Sequence, residues 1–404
     1  MIQVSDRVAT LPGYPLARIP SLKRRLLDAG VDVIDLGAGD ADTPPPRETI
    51  DALIGALDQT AMHKYAFQQG LPAFREAAAR WMLRRFETVF DPATELLPLI
   101  GSKEGLAHLV FAVCNPGDVV ILPEPGYQAY LGGAILAGAE PHVVPLRTES
   151  GFLLELDEVP AEILARTRLV FLNYPNNPTA AIAPRDYLER TVATCRRHGI
   201  VLAYDNAYVD ITFDGYVAPS IFEIPGARDV AIEFFSMSKS FQMTGWRLGF
   251  AAGNATIISA LSKVKTYVDT GAFLALQRAG AWTLDHAERL IAPIVAELQH
   301  RRDAAVEMLR TAGFEVETPR AAMYLWVPLP RDLPSADFAM RALEEQGVVV
   351  LPGSGFGPGG EGYFRIALTA PADRLREAVE RLGRTLAACR EAGAALSASG
   401  GGSA

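Results

Sequence analysis

The chain has 404 residues, of which 49% are hydrophobic and 21% are charged, and its formal net charge is -9. This length predicts two or three domains, or one large domain with an appendage, and the composition allows a sizeable buried core. The acidic balance argues against a nucleic-acid partner and against an anionic-membrane partner.

The cysteines and the N-terminal stretch indicate the cellular compartment of the protein. The chain has three cysteines, Cys114, Cys195 and Cys389, far apart and without a CxxC or Cys/His cluster. This pattern predicts neither a disulfide framework nor a metal site, and it fits a reducing, cytoplasmic setting. The start, MIQVSDRVATLPGYP, has no apolar core of a signal peptide, and no apolar run approaches a membrane span.

Short apolar runs alternate with helical stretches between residues 45 and 285. The runs ELLPLIG, DVVILPEP, RLVFLNYP, GIVLAYDNA, VAIEFFSMS and RLGFAAGN are typical of buried parallel strands, whereas KEGLAHLVFAV and RDYLERTVATCRRHG are typical of helices. Repeated strand and helix units predict an α/β fold, with a mostly parallel central sheet between helices. Ligands bind at the carboxyl ends of such strands.

The pattern changes after residue 285. A long charged helical run, the strand-like AMYLWVPL, VVVLPG and YFRIAL, and a final amphipathic helix predict a smaller α+β domain over residues 286–390. We expect residues 1–44 to form an N-terminal arm that packs with this domain, leaving 45–285 as the large ligand-binding domain. Residues 391–404, EAGAALSASGGGSA, are small and polar, which predicts a disordered tail.

One stretch of the large domain, SMSKSFQMTGWRLGF, suggests a covalent cofactor site. A lysine forms Schiff bases once its pKa is lowered by burial or a cationic neighbour. The hydroxyls of Ser236 and Ser238 and the guanidinium of Arg247 suit a phosphate. Lys239 is therefore interpreted as the residue that holds a phosphorylated aldehyde, pyridoxal phosphate (PLP). A solvated loop lysine is the alternative.

A carboxylate is also needed, since PLP withdraws electrons best when its pyridine nitrogen is protonated. Asp205 ends the buried run GIVLAYDNA, where an uncompensated carboxylate would be costly. Tyr208, three residues on, could donate to the phenolic oxygen of PLP. A turn-capping aspartate and a core tyrosine are the alternatives.

Four motifs then point to a family: NYPNNPT at 173–179, YDNAY at 204–208, SMSKSFQMTGWRLGF at 236–250 and GYFRIAL at 362–368. Together, and in this order, they resemble the class I/II aminotransferases, which are fold type I PLP enzymes. The resemblance spans nearly the whole chain. It implies a PLP-dependent transferase fold, with PLP as cofactor and an amino acid and a 2-oxo acid as substrates.

The resemblance also implies roles for individual residues. Lys239 would hold PLP and shuttle a proton, Asp205 would pair with the ring nitrogen, and Asn177 and Tyr208 would hold the phenolic oxygen. Tyr127, in PEPGYQAY, would stack on the ring. The residues implied to line the phosphate are Ser102, Lys103, Ser236, Ser238 and Arg247.

On the substrate side, the resemblance implies that Arg365 binds the α-carboxylate with its bidentate fork. The backbone N–H of Gly39 would bind the same carboxylate, as would Asn177, and Tyr14 would lie near the substrate. Tyr65, in KYAFQQG, resembles the tyrosine that reaches the cofactor phosphate of the neighbouring subunit. A homodimer with shared active sites is thus implied.

Two positions depart from the family pattern without touching the chemistry: Ala180 replaces the glycine of NPTG, and Gln242 stands where many relatives have asparagine. The stretches LGAGDAD, GSKEG and NYPNNPTA resemble the LL-diaminopimelate aminotransferase subgroup in particular. Gln68 argues against that substrate, since relatives that recognise a distal ammonium often carry an acid there. Alanine, aspartate, glutamate and N-succinyl-diaminopimelate are the other donors considered.

The expected reaction is a ping-pong transamination, with glutamate and 2-oxoglutarate as one substrate pair. A PLP-dependent C–S lyase on the same fold is the competing class, because the site residues are shared. A non-catalytic regulator would need a DNA-binding segment for which the chain has no room. A nicotinamide dehydrogenase is disfavoured because the glycine-rich run GSGFGPGG lies late in the chain and not in a first βα turn, and a serine hydrolase because GxSxG is missing.

Overall fold

The computed structural model describes residues 2–13, 18–67 and 69–400. Its β-strands, numbered along the chain, are β1 Ile34–Asp35, β2 Leu96–Leu99, β3 Val119–Glu124, β4 Glu140–Pro145, β5 Thr167–Leu172, β6 Val201–Asp205, β7 Ala231–Ser236, β8 Gly249–Gly253, β9 Tyr324–Pro328, β10 Val348–Val349, β11 Leu351–Pro352 and β12 Tyr363–Ala367.

The α-helices are α1 Asp6–Ala9, α2 Arg18–Asp28, α3 Arg47–Leu57, α4 Pro72–Phe86, α5 Ser102–Val113, α6 Gln128–Ala137, α7 Ala161–Arg166, α8 Arg185–His198, α9 Met237–Ser240, α10 Ala255–Val268, α11 Leu274–Asp285, α12 Ala287–Thr311, α13 Ser335–Gln346 and α14 Ala372–Gly400. None of the helices in the described part of the chain combines the length and apolar composition that a membrane crossing needs.

Within the described residues, the largest sheet has seven strands in the order β2-β8-β7-β6-β5-β3-β4. Strands β4, β3, β5, β6 and β7 run parallel, whereas β8 is antiparallel to both β7 and β2. The prediction of an α/β fold with a mostly parallel central sheet is confirmed. Each of the six predicted apolar runs contains one of these strands. Edge strand β4 was missed because most of its residues are exposed or half-buried.

Alternate side chains of the central strands pack into apolar layers on opposite faces of the sheet. On β5, Val170 and Leu172 belong to one buried cluster, whereas Leu169 and Phe171 belong to another. A strand covered by helices on both faces needs apolar residues at every position. This requirement explains why the parallel strands are continuous apolar runs in the sequence.

A second, smaller sheet lies in the C-terminal part, where β12 pairs antiparallel with β11 and β9. The N-terminal segment joins this part, because β1 pairs in parallel with β10. Helix α2 packs there too, through Ile19 and Leu22 against Leu343 and Val349. These contacts bring the loop that follows β1 towards the carboxyl ends of the central strands.

The last helix extends further than the sequence pattern suggested. Disorder was expected from residue 391, but α14 continues to Gly400. The alanines and the leucine of EAGAALSASG favour helix, which explains the extension of the preceding amphipathic helix.

Candidate active site

A cavity of about 590 Å³ lies between the carboxyl ends of the central strands and the C-terminal part of the chain. It brings together residues that are far apart in sequence. The predicted site residues that line it are Gly39, Ser102, Lys103, Tyr127, Asn177, Asp205, Tyr208, Ser236, Ser238, Lys239, Arg247 and Arg365.

Tyr65 lies on the protein surface, with 72% of its area exposed. Tyr14 lies outside the described residues, as does Gln68.

Lys239 is positioned by the turn that follows β7. Ser236 ends this strand and caps α9, where its hydroxyl accepts a hydrogen bond from the Ser238 backbone N–H at 3.3 Å. One turn of helix then directs Lys239 into the cavity, where its Nζ donates to the carbonyl of Gly39. The amine therefore faces the loop after β1 from across the cavity.

Asp205, at the end of β6, is only 4% exposed and has just one of its carboxylate oxygens satisfied. Its Oδ2 accepts a hydrogen bond from the Tyr130 hydroxyl at 2.7 Å, whereas Oδ1 has no partner among the described residues. Burial raises the pKa of Asp205 to about 6, although the Tyr130 hydrogen bond lowers it. An unpaired buried carboxylate oxygen that lines a cavity indicates a ligand with a hydrogen-bond donor.

Basic groups occupy the cavity wall next to the start of α5. Ser102 begins this helix, Lys103 follows, and the Lys103 Nζ lies 5.5 Å from the centre of the Tyr127 ring. Arg247 has a left-handed backbone, with φ +56°, and its Nη1 donates to the Thr244 carbonyl at 2.8 Å. In the described part of the chain, no carboxylate lies within 4.0 Å of the charged nitrogens of Lys103 or Arg247. The wall suits a phosphate, which a helix N-terminus also attracts.

Arg365, on β12, lies on the opposite side of the cavity and is only 4% exposed. Its Nη1 donates to Asn177 Oδ1 at 2.7 Å, and its Nη2 donates to the Gly37 carbonyl at 2.6 Å. The guanidinium lies 4.1 Å from the centre of the Tyr324 ring, and its buried Nε has no hydrogen-bond partner in the part of the chain that the structure describes. No described carboxylate neutralises it, so the fork is available for an anionic ligand.

Two buried tyrosines meet between Lys239 and Arg365. The Tyr208 and Tyr324 hydroxyls are 3.0 Å apart, and the Tyr324 hydroxyl lies against Gly39, where any side chain would overlap it. Burial raises the pKa of Tyr324, but the charges of Arg365 and Lys239 and the bond with Tyr208 together outweigh burial and lower it. Burial, together with Tyr324, raises the pKa of Tyr208.

Three functional positions escaped the sequence analysis: Tyr130, Asn173 and Tyr324. The spacing in YQAY was a usable signal, because Tyr127 directly precedes α6 and Tyr130 lies in its first turn, which brings the two rings to 5.7 Å from each other. Asn173 begins the motif NYPNNPT; its side chain donates to the Asp205 carbonyl at 2.7 Å and accepts from the Asn177 backbone N–H at 2.8 Å. Tyr324 gave no signal beyond being an aromatic residue in an apolar run.

The residues of the cavity fit PLP. The free Asp205 Oδ1 matches a protonated pyridine nitrogen, Lys239 matches the aldehyde, and the basic wall matches the phosphate. Arg365 remains for the carboxylate of an amino acid. The unsatisfied polar groups of the protein thus correspond to the groups of the cofactor and of the substrate.

Comparison with known proteins agrees with this geometry. The sequence profile described as Aminotransferase class I and II matches residues 31–382. A curated LL-diaminopimelate aminotransferase of Desulforudis audaxviator is 46% identical over 378 residues, covering 94% of this chain and 96% of that protein. A second, from Moorella thermoacetica, is 44% identical and covers 95% of this chain and 99% of that protein.

Among solved structures, substrate-bound BacF from Bacillus subtilis superposes with a TM-score of 0.89 at 33% identity. The match covers 95% of this chain and 98% of that chain. The similarity therefore extends over both the central sheet and the C-terminal part.

Proposed function

Because the chain belongs to the class I and II aminotransferase family and is a PLP-dependent transaminase, we propose that its amino donor is LL-diaminopimelate and its acceptor 2-oxoglutarate. The amino-transfer chemistry is supported by one cavity that holds the Asp205 Oδ1 and the Arg365 Nε, both without a partner among the described residues, and the Lys239 amine. The donor is supported by the identity of the relatives and by Asp40 on the cavity wall. Amino acids and 2-oxo acids are the substrates of this family.

We propose the following roles at the cofactor. PLP, when bound, supplies an electron sink for the charge that develops at the substrate Cα. Asp205 would keep the ring nitrogen protonated, and Asn177 and Tyr208 would donate to the phenolic oxygen. Tyr127 would cover the ring, and the residues that would hold the phosphate are Ser102, Lys103, Ser236, Ser238 and Arg247.

At the substrate, Arg365 binds the α-carboxylate with its unpaired N–H groups, and this fixes the Cα hydrogen towards Lys239. The Lys239 amine would serve as the general base that takes the proton from Cα and as the general acid that gives it up again. Gly39, whose carbonyl contacts Lys239, is placed to offer its backbone N–H to the same carboxylate. Closure of this pocket by Tyr324 keeps the region around Cα dry.

The choice of LL-diaminopimelate rests on the relatives and on one further feature of the cavity. This donor carries a second ammonium and a second carboxylate. Asp40 lines the cavity and is exposed, and no ion pair to it is found among the described residues. We propose that the Asp40 carboxylate pairs with the second ammonium of LL-diaminopimelate. An acid at the position of Gln68 is then not needed for this substrate.

Steady-state kinetics on the PLP-loaded protein test the donor. The panel is LL-diaminopimelate, glutamate, aspartate, alanine, an aromatic amino acid and N-succinyl-diaminopimelate, each with 2-oxoglutarate or pyruvate as acceptor. We expect the highest kcat/KM with LL-diaminopimelate. A higher value for another donor would refute the substrate, and release of pyruvate or ammonia without amino transfer would move the protein to the lyases.

We also propose a homodimer whose subunits share active sites. Large apolar side chains are exposed along one part of the surface: Tyr65, Phe67, Tyr267, Val268 and Phe273. The rings of His63 and Phe273 are 5.9 Å apart, and those of Tyr65 and Phe67 are 6.2 Å apart, so these segments adjoin. A second copy of the chain would cover this patch and bring Tyr65 to its cofactor phosphate.

Subunit mixing tests the shared site. Proteins carrying Lys239→Ala or Tyr65→Ala are each impaired, but a mixed dimer contains one site with both residues intact. We expect activity to rise after the two variants are mixed under conditions that exchange subunits. If activity does not rise although mass spectrometry of tagged chains shows that subunits have exchanged, shared active sites are ruled out.

The free thiols of Cys114, Cys195 and Cys389 favour a reducing, cytoplasmic setting, which we propose as well.

A further inference from the structure

A group of buried charges lies behind the start of α5. Lys265, on α10, is fully buried, and its Nζ lies 3.0 Å from Glu104 Oε2 and 3.1 Å from both carboxylate oxygens of Asp269. His108 Nδ1 lies 2.7 Å from Glu104 Oε1. We name these four residues the Lys265 cluster. Burial raises the pKa of Glu104, but His108 and Lys265 outweigh burial and lower it, so the cluster is ionic.

The cluster is not a vacant metal site. Glu104, His108 and Asp269 each place one potential ligand atom within 4.8 Å of the others. The ammonium of Lys265, however, already contacts both carboxylates. The chain itself supplies the cation that these acids need.

Both acids of the cluster also bind backbone N–H groups. Glu104 Oε2 accepts from the Ile100 N–H at 3.1 Å, directly before the turn that begins α5 with Ser102 and Lys103. Asp269 Oδ1 accepts from the Gly271 N–H at 2.7 Å. One ammonium therefore connects the phosphate-side turn to the loop at 269–271.

That loop contacts the segment that carries Tyr65. Gly271 has φ +86°, and a Cβ added there would lie 2.6 Å from the Phe67 carbonyl oxygen, so the loop and this segment pack backbone against backbone. Phe67, at the other side of the contact, is itself in the left-handed region with φ +49°. The cluster thus reaches from the phosphate side of the cavity to the exposed segment proposed to enter the partner subunit.

Stability alone does not account for this arrangement. Removing charges from water is costly, and apolar residues of similar size can often replace a buried ion pair without loss of stability. The cluster also binds two backbone N–H groups, those of Ile100 and Gly271, and thereby connects the two segments to which they belong. Its two ends are the two segments proposed to bind cofactor phosphates.

We propose that Lys265 is a positioning residue for phosphate binding in both subunits: it holds the turn before α5 for its own cofactor and the Tyr65 segment for the partner's. This inference rests on the proposed PLP site and homodimer. It predicts that losing Lys265 weakens the recognition of the phosphate group and leaves recognition of the pyridine ring intact.

The test compares PLP with pyridoxal, which lacks the phosphate, on cofactor-free protein. Affinities are taken from the visible absorbance of the lysine-bound chromophore, with Lys239→Ala protein as the blank for surface lysines. For Lys265→Met we expect PLP affinity to fall about tenfold and pyridoxal affinity to change by less than about twofold. Lys263→Met, an exposed lysine on the same helix, should change neither affinity.

The outcomes separate this inference from the proposed function. If the unmodified protein does not prefer PLP to pyridoxal, the proposed phosphate site is wrong. If the unmodified protein does prefer PLP, two results would overturn the positioning role of Lys265. One is an unchanged preference for PLP over pyridoxal in Lys265→Met, and the other is an equal loss of affinity for both ligands. If Lys265→Met does not fold, Asp269→Asn serves in its place, because it keeps the Lys265–Glu104 pair. For Asp269→Asn we expect the affinity for PLP to fall about threefold and the affinity for pyridoxal to stay the same. An unchanged ratio of the two affinities would refute the inference.

Discussion

Two lysines of the large α/β part differ in how their charge is satisfied. Lys265 is fully buried, and its ammonium contacts the carboxylates of Glu104 and Asp269. Lys239 faces the cavity, and its amine contacts a backbone carbonyl, that of Gly39. In the described residues, no acid lies within 4.0 Å of the Lys239 Nζ. The first lysine completes an internal network, whereas the second is available for chemistry.

The buried arginines show the same contrast. Arg302 binds Asp214 at 2.6 Å, Asp303 and the Pro319 carbonyl. Arg365 is equally buried, yet it contacts only neutral oxygens and leaves its Nε unsatisfied. Buried charges are normally paired, so an incompletely paired one on the wall of a cavity indicates where a ligand completes the site. Arg75, on α4, is also buried with an unsatisfied Nε among the described residues, but it does not line the cavity. Incomplete pairing together with a place on the cavity wall therefore distinguishes the candidate active site from the scaffold.

The largest expected effect comes from Lys239. Lys239→Ala removes the general base and should lower kcat by about 10⁴-fold. Lys265→Met should lower kcat far less at saturating PLP, because the base remains. Single-turnover rates of the two PLP-loaded variants provide the comparison, and equal losses would remove the distinction between the two lysines.

The two arginines should separate activity from stability. Arg365→Met should lower kcat/KM by about 10²–10³-fold while leaving the free energy of unfolding almost unchanged, since no acid is left unpaired. Arg302→Met leaves Asp214 and Asp303 without their partner, but both carboxylates are about half exposed, so the free energy of unfolding should fall by only about 1 kcal/mol, with little effect on kcat/KM. Steady-state kinetics measures kcat/KM of both variants, and urea denaturation measures their free energies of unfolding. A stable, fully active Arg365→Met protein would contradict the assignment.

Asp205 allows a test by pH on cofactor-free protein. Its pKa is raised to about 6, so the folded state holds a proton that the unfolded state releases near pH 4. The contribution of Asp205 to stability therefore falls as pH rises from about 4 to about 6, by roughly 3 kcal/mol, and then stays constant. Asp205→Asn should lack this slope.

Glu233 supplies the matched control for this pH dependence. It is fully buried on β7 and both of its oxygens are hydrogen-bonded, to Asn206 and Ser220, while burial raises its pKa to about 8. The free energy of unfolding of Glu233→Gln, relative to that of the unmodified protein, should thus keep rising up to about pH 8. Identical pH profiles for Asp205→Asn and Glu233→Gln would show that Asp205 does not titrate as described.

The smallest effect is expected from Tyr130, which satisfies one oxygen of Asp205. Tyr130→Phe should reduce kcat/KM by about tenfold, the worth of one hydrogen bond to a charged group. Losing that bond should also raise the pKa of Asp205 further and move its stability slope to higher pH. Tyr187→Phe, another buried tyrosine whose hydroxyl binds the Leu154 carbonyl, should leave kcat/KM unchanged.

The strands and most cavity residues could be predicted because they obey local rules. Asp205 and Lys239 follow apolar runs such as VLAYD and AIEFFS, and strand ends meet at one edge of a parallel sheet. Strand β4 could not be predicted, since an exposed edge strand lacks the apolar run. Tyr324 could not be predicted either, because its contacts with Tyr208 and Gly39 join segments more than 100 residues apart.

Covalent mapping of the cofactor tests the central claim most directly. PLP-loaded protein is reduced with borohydride, digested, and searched by mass spectrometry for the modified lysine. We expect modification of Lys239 at one PLP per chain, with Lys103 and Lys265 unmodified. Modification of another lysine in place of Lys239, or none at all, would contradict the assignment of the incompletely paired lysine as the catalytic one.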